Sequence, residues 1–127
     1  MSAVFEIFVT TDFAAAHKLC GYDGPCSATH GHNWEVTVYV RCLELDRTGM
    51  GVDFMEIKRT VDQVIEELDH QNLNDLLPFR EENPTAEVLA RHIFQQVAKG
   101  IDTPGVSVSR VMVTETKGMG VTYSEKE

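Results

Sequence analysis

The stretch His30–Leu43, HGHNWEVTVYVRCL, decides the fold. Its even positions are His30, His32, Trp34, Val36, Val38, Val40 and Cys42, while its odd positions include Asn33, Glu35, Thr37, Tyr39 and Arg41. A period of two puts an apolar row and a polar row on opposite faces of a strand. Both histidines extend the apolar row, so they point to the same side. Upstream, residues 4–17 form a second strand in which Phe5, Ile7, Val9, Phe13 and Ala15 share their parity with His17. A Gly/Pro/Asp loop, from Gly21 to Pro25, joins the two.

Downstream the period changes. Asp46–Gly51 is a turn, and Asp53 with Glu56 makes a capping box for a first helix with a stripe of Ile57, Val61, Val64, Ile65 and Leu68. Asn83-Pro84 opens a second helix, with proline where its missing N–H costs nothing; Ala86, Leu89, Ala90, Ile93 and Val97 form its stripe and Gly100 closes it. Two more strands, about 106–115 and 119–124, hinge at Lys117-Gly118. The order ββααββ is an α+β arrangement: a four-stranded antiparallel sheet with two helices on one face and its polar face toward water. The open sheet edges predict oligomerisation by edge pairing.

The chain of 127 residues reads as one domain, 1–127, with 43% hydrophobic and 24% charged residues, near the averages for globular proteins. Its N-terminus lacks a basic region followed by a long apolar run, and no apolar stretch is long enough to span a bilayer, so a cytoplasmic location is expected. Lys plus Arg number 11 against 20 Asp plus Glu, a net charge of −9 that disfavours nucleic acid and anionic membrane as partners. Three cysteines in a reducing compartment argue against a disulfide framework, leaving Cys20, Cys26 and Cys42 as free thiols or metal ligands. Cys42 continues the apolar row and reads as core.

The chemistry concentrates in Cys26-Ser-Ala-Thr-His30-Gly-His32. Two histidines at i and i+2 on one strand face offer two metal ligands from rigid backbone, and His17 on the neighbouring strand supplies a third. Three neutral ligands leave a position for water or substrate, the catalytic pattern of Zn2+. Two other readings stand beside it: histidines hydrogen-bonded to backbone at a strand end, and a structural site of His17, Cys20, Cys26 and His30. The second lacks a C-x-x-C knuckle. Asp69-His70 reads either as an acid/base pair or as the end of the first helix, where histidine suits the dipole. Glu115 shares the parity of Val111 and Val113, which makes it a carboxylate on an apolar face, suited to a ligand with two parallel N–H donors. Alternatively, a one-residue bulge turns it outward, as Val106 and Val108 on the other parity suggest. His92, among charged neighbours, reads as a surface residue.

Six pieces occur in order: Phe13-Ala-Ala-Ala-His17, Cys26-x3-His30-Gly-His32-Asn33, Val52-Asp53-Phe54, Leu68-Asp69-His70-x-x-Leu73-Asn74, Asn83-Pro84-Thr85-Ala86-Glu87 and Glu115-Thr116. Together they resemble the 6-pyruvoyltetrahydropterin synthase family over nearly the whole chain. The spacing of Cys26 to His30 is similar to that of its bacterial branch, the 6-carboxy-5,6,7,8-tetrahydropterin synthases of 7-deazaguanine and queuosine biosynthesis. The resemblance implies a zinc-dependent lyase that converts 7,8-dihydroneopterin triphosphate to 6-carboxytetrahydropterin with loss of triphosphate and acetaldehyde. It implies zinc on His17, His30 and His32, Cys26 as the proton-abstracting thiolate, Asp69 and His70 as a second acid/base relay, and Glu115 as the anchor of the pterin ring. It also implies the tunnelling fold, with trimers closing a barrel and two trimers stacking into a hexamer. Thr114 departs from the lysine expected before Glu115, Cys20 has no assigned role, and Lys18 and Lys117 are the candidate cations for triphosphate. Alternatives are a 6-pyruvoyltetrahydropterin synthase, a dihydroneopterin side-chain-cleaving enzyme, and a non-catalytic zinc- or pterin-binding module.

Overall fold

A computed structural model describes residues 3–21 and 26–126; the rest of the predicted loop, residues 22–25, lies outside the described residues. The elements are β1 (Phe5–His17), β2 (His30–Cys42), α1 (Phe54–Glu66), β3 (Gln71–Asn72), α2 (Ala86–Ile101), β4 (Val106–Thr116) and β5 (Met119–Tyr123). The α+β architecture is as the sequence predicts, but the sheet has five strands in the order β3-β1-β2-β4-β5. The added strand, β3, is two residues long and runs parallel to β1 at Ala15 and Ala16. A two-residue segment carries too little alternation to register as a strand.

The long β1–β2 pairing is antiparallel and unbroken from Phe5↔Cys42 to His17↔His30. Trp34, Val36, Val38 and Val40 are fully buried, as are Val111 and Val113 on β4. Against this face lie Ile57 and Val61 of α1 and Leu89, Ile93 and Val97 of α2, also fully buried. Each such aliphatic side chain contributes about 1.5–3 kcal/mol on leaving water. The sheet frame is therefore rigid where it carries the histidines.

The parity conflict on β4 is resolved by a bulge. The β2–β4 register slips between Tyr39 and Val40, pairing Tyr39 with Arg110 and Val40 with Val108. Val108 and Val111 thus both face the core despite opposite parity. On the other face, Thr37 is buried rather than solvated, and its hydroxyl meets that of Thr10 at 2.9 Å. Beside it Arg110 stacks on Tyr39 and pairs with Glu6.

Helix boundaries need two corrections. Thr85, not Asn83, is the N-cap of α2: its hydroxyl accepts from Val88 N at 3.1 Å, leaving Pro84 outside the helix. Nor does Gly100 end α2, which continues through Ile101. A Cβ at Gly100 would come within 2.8 Å of Thr60 Cγ2, so glycine is there for close packing against α1. Gly118, at φ +86°, makes the β4–β5 hairpin turn in a conformation that disfavours side chains. His92 is half-buried against the Phe79 ring, not on the surface. No helix among the described residues is long and apolar enough to cross a membrane.

Candidate metal centre

Strand register builds the site. His17 sits directly across from His30, and Ala15 across from His32, so the three imidazoles share one face at one end of the β1–β2 ribbon. Their ring centroids are 4.7 Å (His17–His30), 4.9 Å (His30–His32) and 5.3 Å (His17–His32) apart. Trp34 floors the cluster, edge-on to His17 and His32, with its indole N–H donating to Ala15 O at 3.2 Å.

The backbone sets which nitrogen faces inward. His17 is wholly buried and its Nδ1 lies 2.8 Å from Pro84 O, while His30 Nδ1 lies 2.9 Å from Ala28 O. Carbonyl oxygens only accept, so both Nδ1 atoms carry protons and both Nε2 lone pairs are free. The Nε2 atoms of His17 and His32 are buried without a hydrogen-bond partner. Such orphaned atoms are costly unless something occupies the space between them. Burial, the largest cause, and the neighbouring His17 and His30 lower the pKa of His32 against the pull of Glu115, favouring the neutral form that binds metal.

The ligand atoms of His17, His30, His32 and Glu115 all lie within 4.8 Å of one another. Imidazole nitrogens and a carboxylate suit a divalent ion of the zinc type. The Cys2His2 alternative does not form, because Cys20 and Cys26 are bonded to each other.

That disulfide corrects the expectation of free thiols. Cys20 and Cys26 face each other in an isolated antiparallel bridge, flanked by Ser27 N donating to Leu19 O at 2.7 Å. Argument from cysteine count takes no account of this local pairing. Cys26, expected as a thiolate, carries no free sulfur in this state. Cys42 is buried and free, as expected.

Asp69 and His70 form a pair, with Oδ2 3.0 Å from Nδ1. They link the end of α1 to β1: Asp69 N donates to Ile65 O in the last turn of α1 at 2.9 Å, Ala14 N donates to Asp69 Oδ1 at 2.9 Å and His70 N donates to Ala14 O at 2.6 Å. Donation from Ala14 N, above all, and from His70 holds the Asp69 carboxyl below its usual pKa. His70 adopts φ +60°, a conformation uncommon without glycine. Its imidazole is exposed and lines, with His32 and Asn72, an open cleft of about 510 Å³. Lys18 lines a separate cavity that includes Arg80 but also Asp75, Glu81 and Glu82. Lys117 is exposed on the β4–β5 hairpin.

Several positioning groups escaped the sequence. Asn74 brackets Lys18, its Oδ1 accepting from Lys18 N at 2.8 Å and its Nδ2 donating to Lys18 O at 3.0 Å. Asn83 does the same for Cys20, at 2.9 and 2.8 Å. Together with Pro84 O, these clamps fix the chain around His17. The signal was present in the Leu73-Asn74 and Asn83-Pro84 motifs, but the latter read as a helix start.

The 6-pyruvoyl tetrahydropterin synthase family model matches residues 6–126. A putative 6-carboxy-5,6,7,8-tetrahydropterin synthase of Archaeoglobus fulgidus is 35% identical over 111 residues, covering 87% of this chain and 88% of that protein. A dihydroneopterin monophosphate aldolase of Pyrococcus furiosus is 37% identical over 93 residues, covering 72% and 75%. The structure of Caenorhabditis elegans 6-pyruvoyl tetrahydropterin synthase superimposes with a TM-score of 0.84 at 26% identity, covering 98% of each chain. The sheet with two helices on one face is thus the tunnelling fold expected from the motifs. With the family match spanning nearly every residue, this chain belongs to the 6-pyruvoyl tetrahydropterin synthase family.

Proposed function

We propose that this protein is a zinc-dependent 6-carboxy-5,6,7,8-tetrahydropterin synthase. It would act on 7,8-dihydroneopterin triphosphate in 7-deazaguanine and queuosine biosynthesis, releasing triphosphate and acetaldehyde. The observation that carries the reading is the pair of buried Nε2 atoms on His17 and His32 that make no hydrogen bond, beside the cleft that His32 shares with His70.

His17, His30 and His32 would hold the metal, each fixed by strand register and two of them by a carbonyl on Nδ1. A bound Zn2+ would supply Lewis acidity toward the oxygens of the substrate side chain. Cys26, four residues before His30, would accept a side-chain proton as a thiolate once its disulfide to Cys20 is reduced. Asp69 accepts from Nδ1 of His70 and leaves Nε2 to exchange a proton with substrate. Glu115 receives the paired N–H donors of the pterin edge. The β1 edge is covered by β3 only at Ala15 and Ala16, which supports assembly through strand edges into trimers or a dimer of trimers.

A second reading is favoured by the Pyrococcus relative, whose name is an aldolase acting on dihydroneopterin monophosphate. Product analysis separates the two. Reduced, zinc-loaded protein is incubated with 7,8-dihydroneopterin triphosphate and the products are identified by mass spectrometry beside Cys26→Ala. Carboxytetrahydropterin and acetaldehyde, falling by about 10²–10⁴-fold in the variant, are expected. Cleavage only of a monophosphate substrate, or a pyruvoyl product, would contradict the proposal.

A further inference from the structure

We infer that Glu115 is a fourth ligand of the resting metal centre and leaves it when a pterin arrives. The inference rests on the metal site of the proposed function and adds a second state to it. A bulge in the β4–β5 pairing, with Thr114 opposite Gly120 and Thr116 opposite Met119, leaves Glu115 without a cross-strand partner. Its parity with Val111 and Val113 directs it to the histidine face.

There Glu115 Oε1 lies 3.1 Å from His32 Nε2, yet that nitrogen makes no hydrogen bond. The carboxylate is within reach but off the donor axis. Two ligands of one tetrahedral ion behave this way: with bonds of about 2.0–2.1 Å, their donor atoms stand about 3.3 Å apart. Charge points the same way. Three neutral imidazoles leave a divalent ion uncompensated over the Trp34 floor, and one carboxylate halves that charge.

The same carboxylate is the group suited to the paired N–H donors of a pterin. It serves one partner at a time, so binding the ring withdraws an oxygen ligand and opens the fourth position to a substrate oxygen or water. The exchange involves no electron transfer and no net proton. Glu115 is partly exposed, at 36%, and so has room to swing.

The test uses cobalt-loaded full-length protein. Metal affinity is measured by chelator competition and coordination by visible absorption, for wild type, Glu115→Gln and Glu115→Asp. The wild type should bind cobalt at least about tenfold more tightly than either variant. Aspartate should fail with glutamine, because it keeps the charge but shortens the reach. Adding 7,8-dihydropterin, which has no side chain to reach the metal, should change the cobalt spectrum of the wild type and not that of Glu115→Gln. Equal affinities and identical spectra in all three proteins would overturn the inference while leaving the three-histidine site intact. Full affinity in Glu115→Asp alone would also overturn it, showing a field effect without ligation. Failure of the wild type to hold cobalt would overturn both this inference and the function on which it rests.

Discussion

The three histidines and the proposed acid/base groups are held by different means. His17, His30 and His32 sit on two long strands whose register runs unbroken for 13 residues, over a fully buried Trp34. Cys26 and the Asp69–His70 pair sit on connections, positioned by an isolated bridge, a left-handed residue and hydrogen bonds to Ala14. Strand-borne ligands inherit the rigidity of the core, as a metal site requires. Groups on the connections lie outside the β1–β2 ribbon, and Cys20 and Cys26 are joined there as a disulfide.

The largest expected effect breaks the connection side alone. Excess small-molecule disulfide takes two electrons and two protons from the Cys20 and Cys26 thiols, and a dithiol returns them by exchange. Oxidised wild type should lose essentially all turnover, regain it with a dithiol, and retain its metal throughout. Cys20→Ser should keep its activity under the same oxidant, within the limit set by other modifications of Cys26. Paired activity and metal assays check this, and an equally active oxidised wild type would remove Cys26 from the chemistry. A smaller effect is expected at Asp69. Asp69→Asn keeps an acceptor for Ala14 N but removes the charge that steadies protonated His70, so kcat should fall by about 10²-fold. Because the Asp69 pKa is depressed, its carboxylate stays ionised across the neutral range. The wild-type pH–rate profile near neutrality should therefore report groups other than Asp69.

What was legible in the sequence follows the same division. The alternation of β2 and the parity of His17 place three candidate ligands on one face, and the structure brings those rings together. Side-chain period is a local property, so a single sequence carries it. The Cys20–Cys26 pairing is not periodic and was missed. Pro84 fixes His17 through its carbonyl, a group every residue has, so nothing in its identity announces the role. Glu115 was ambiguous because bulges shift parity, and β4 has one on each side. The ends of α2 were misplaced because Pro84 and Gly100 serve contacts with other elements rather than the helix itself.

In the proposed function, strands hold the metal and connections do the proton chemistry. Metal content of purified, zinc-supplemented variants tests it most directly, by mass spectrometric elemental analysis. His17→Ala, His30→Ala and His32→Ala should each lose most bound zinc, whereas Cys26→Ala, Asp69→Asn and His70→Ala should retain about one ion per chain, as expected for a three-histidine catalytic site. Zinc loss in Cys26→Ala, or full occupancy in the histidine variants, would contradict the account.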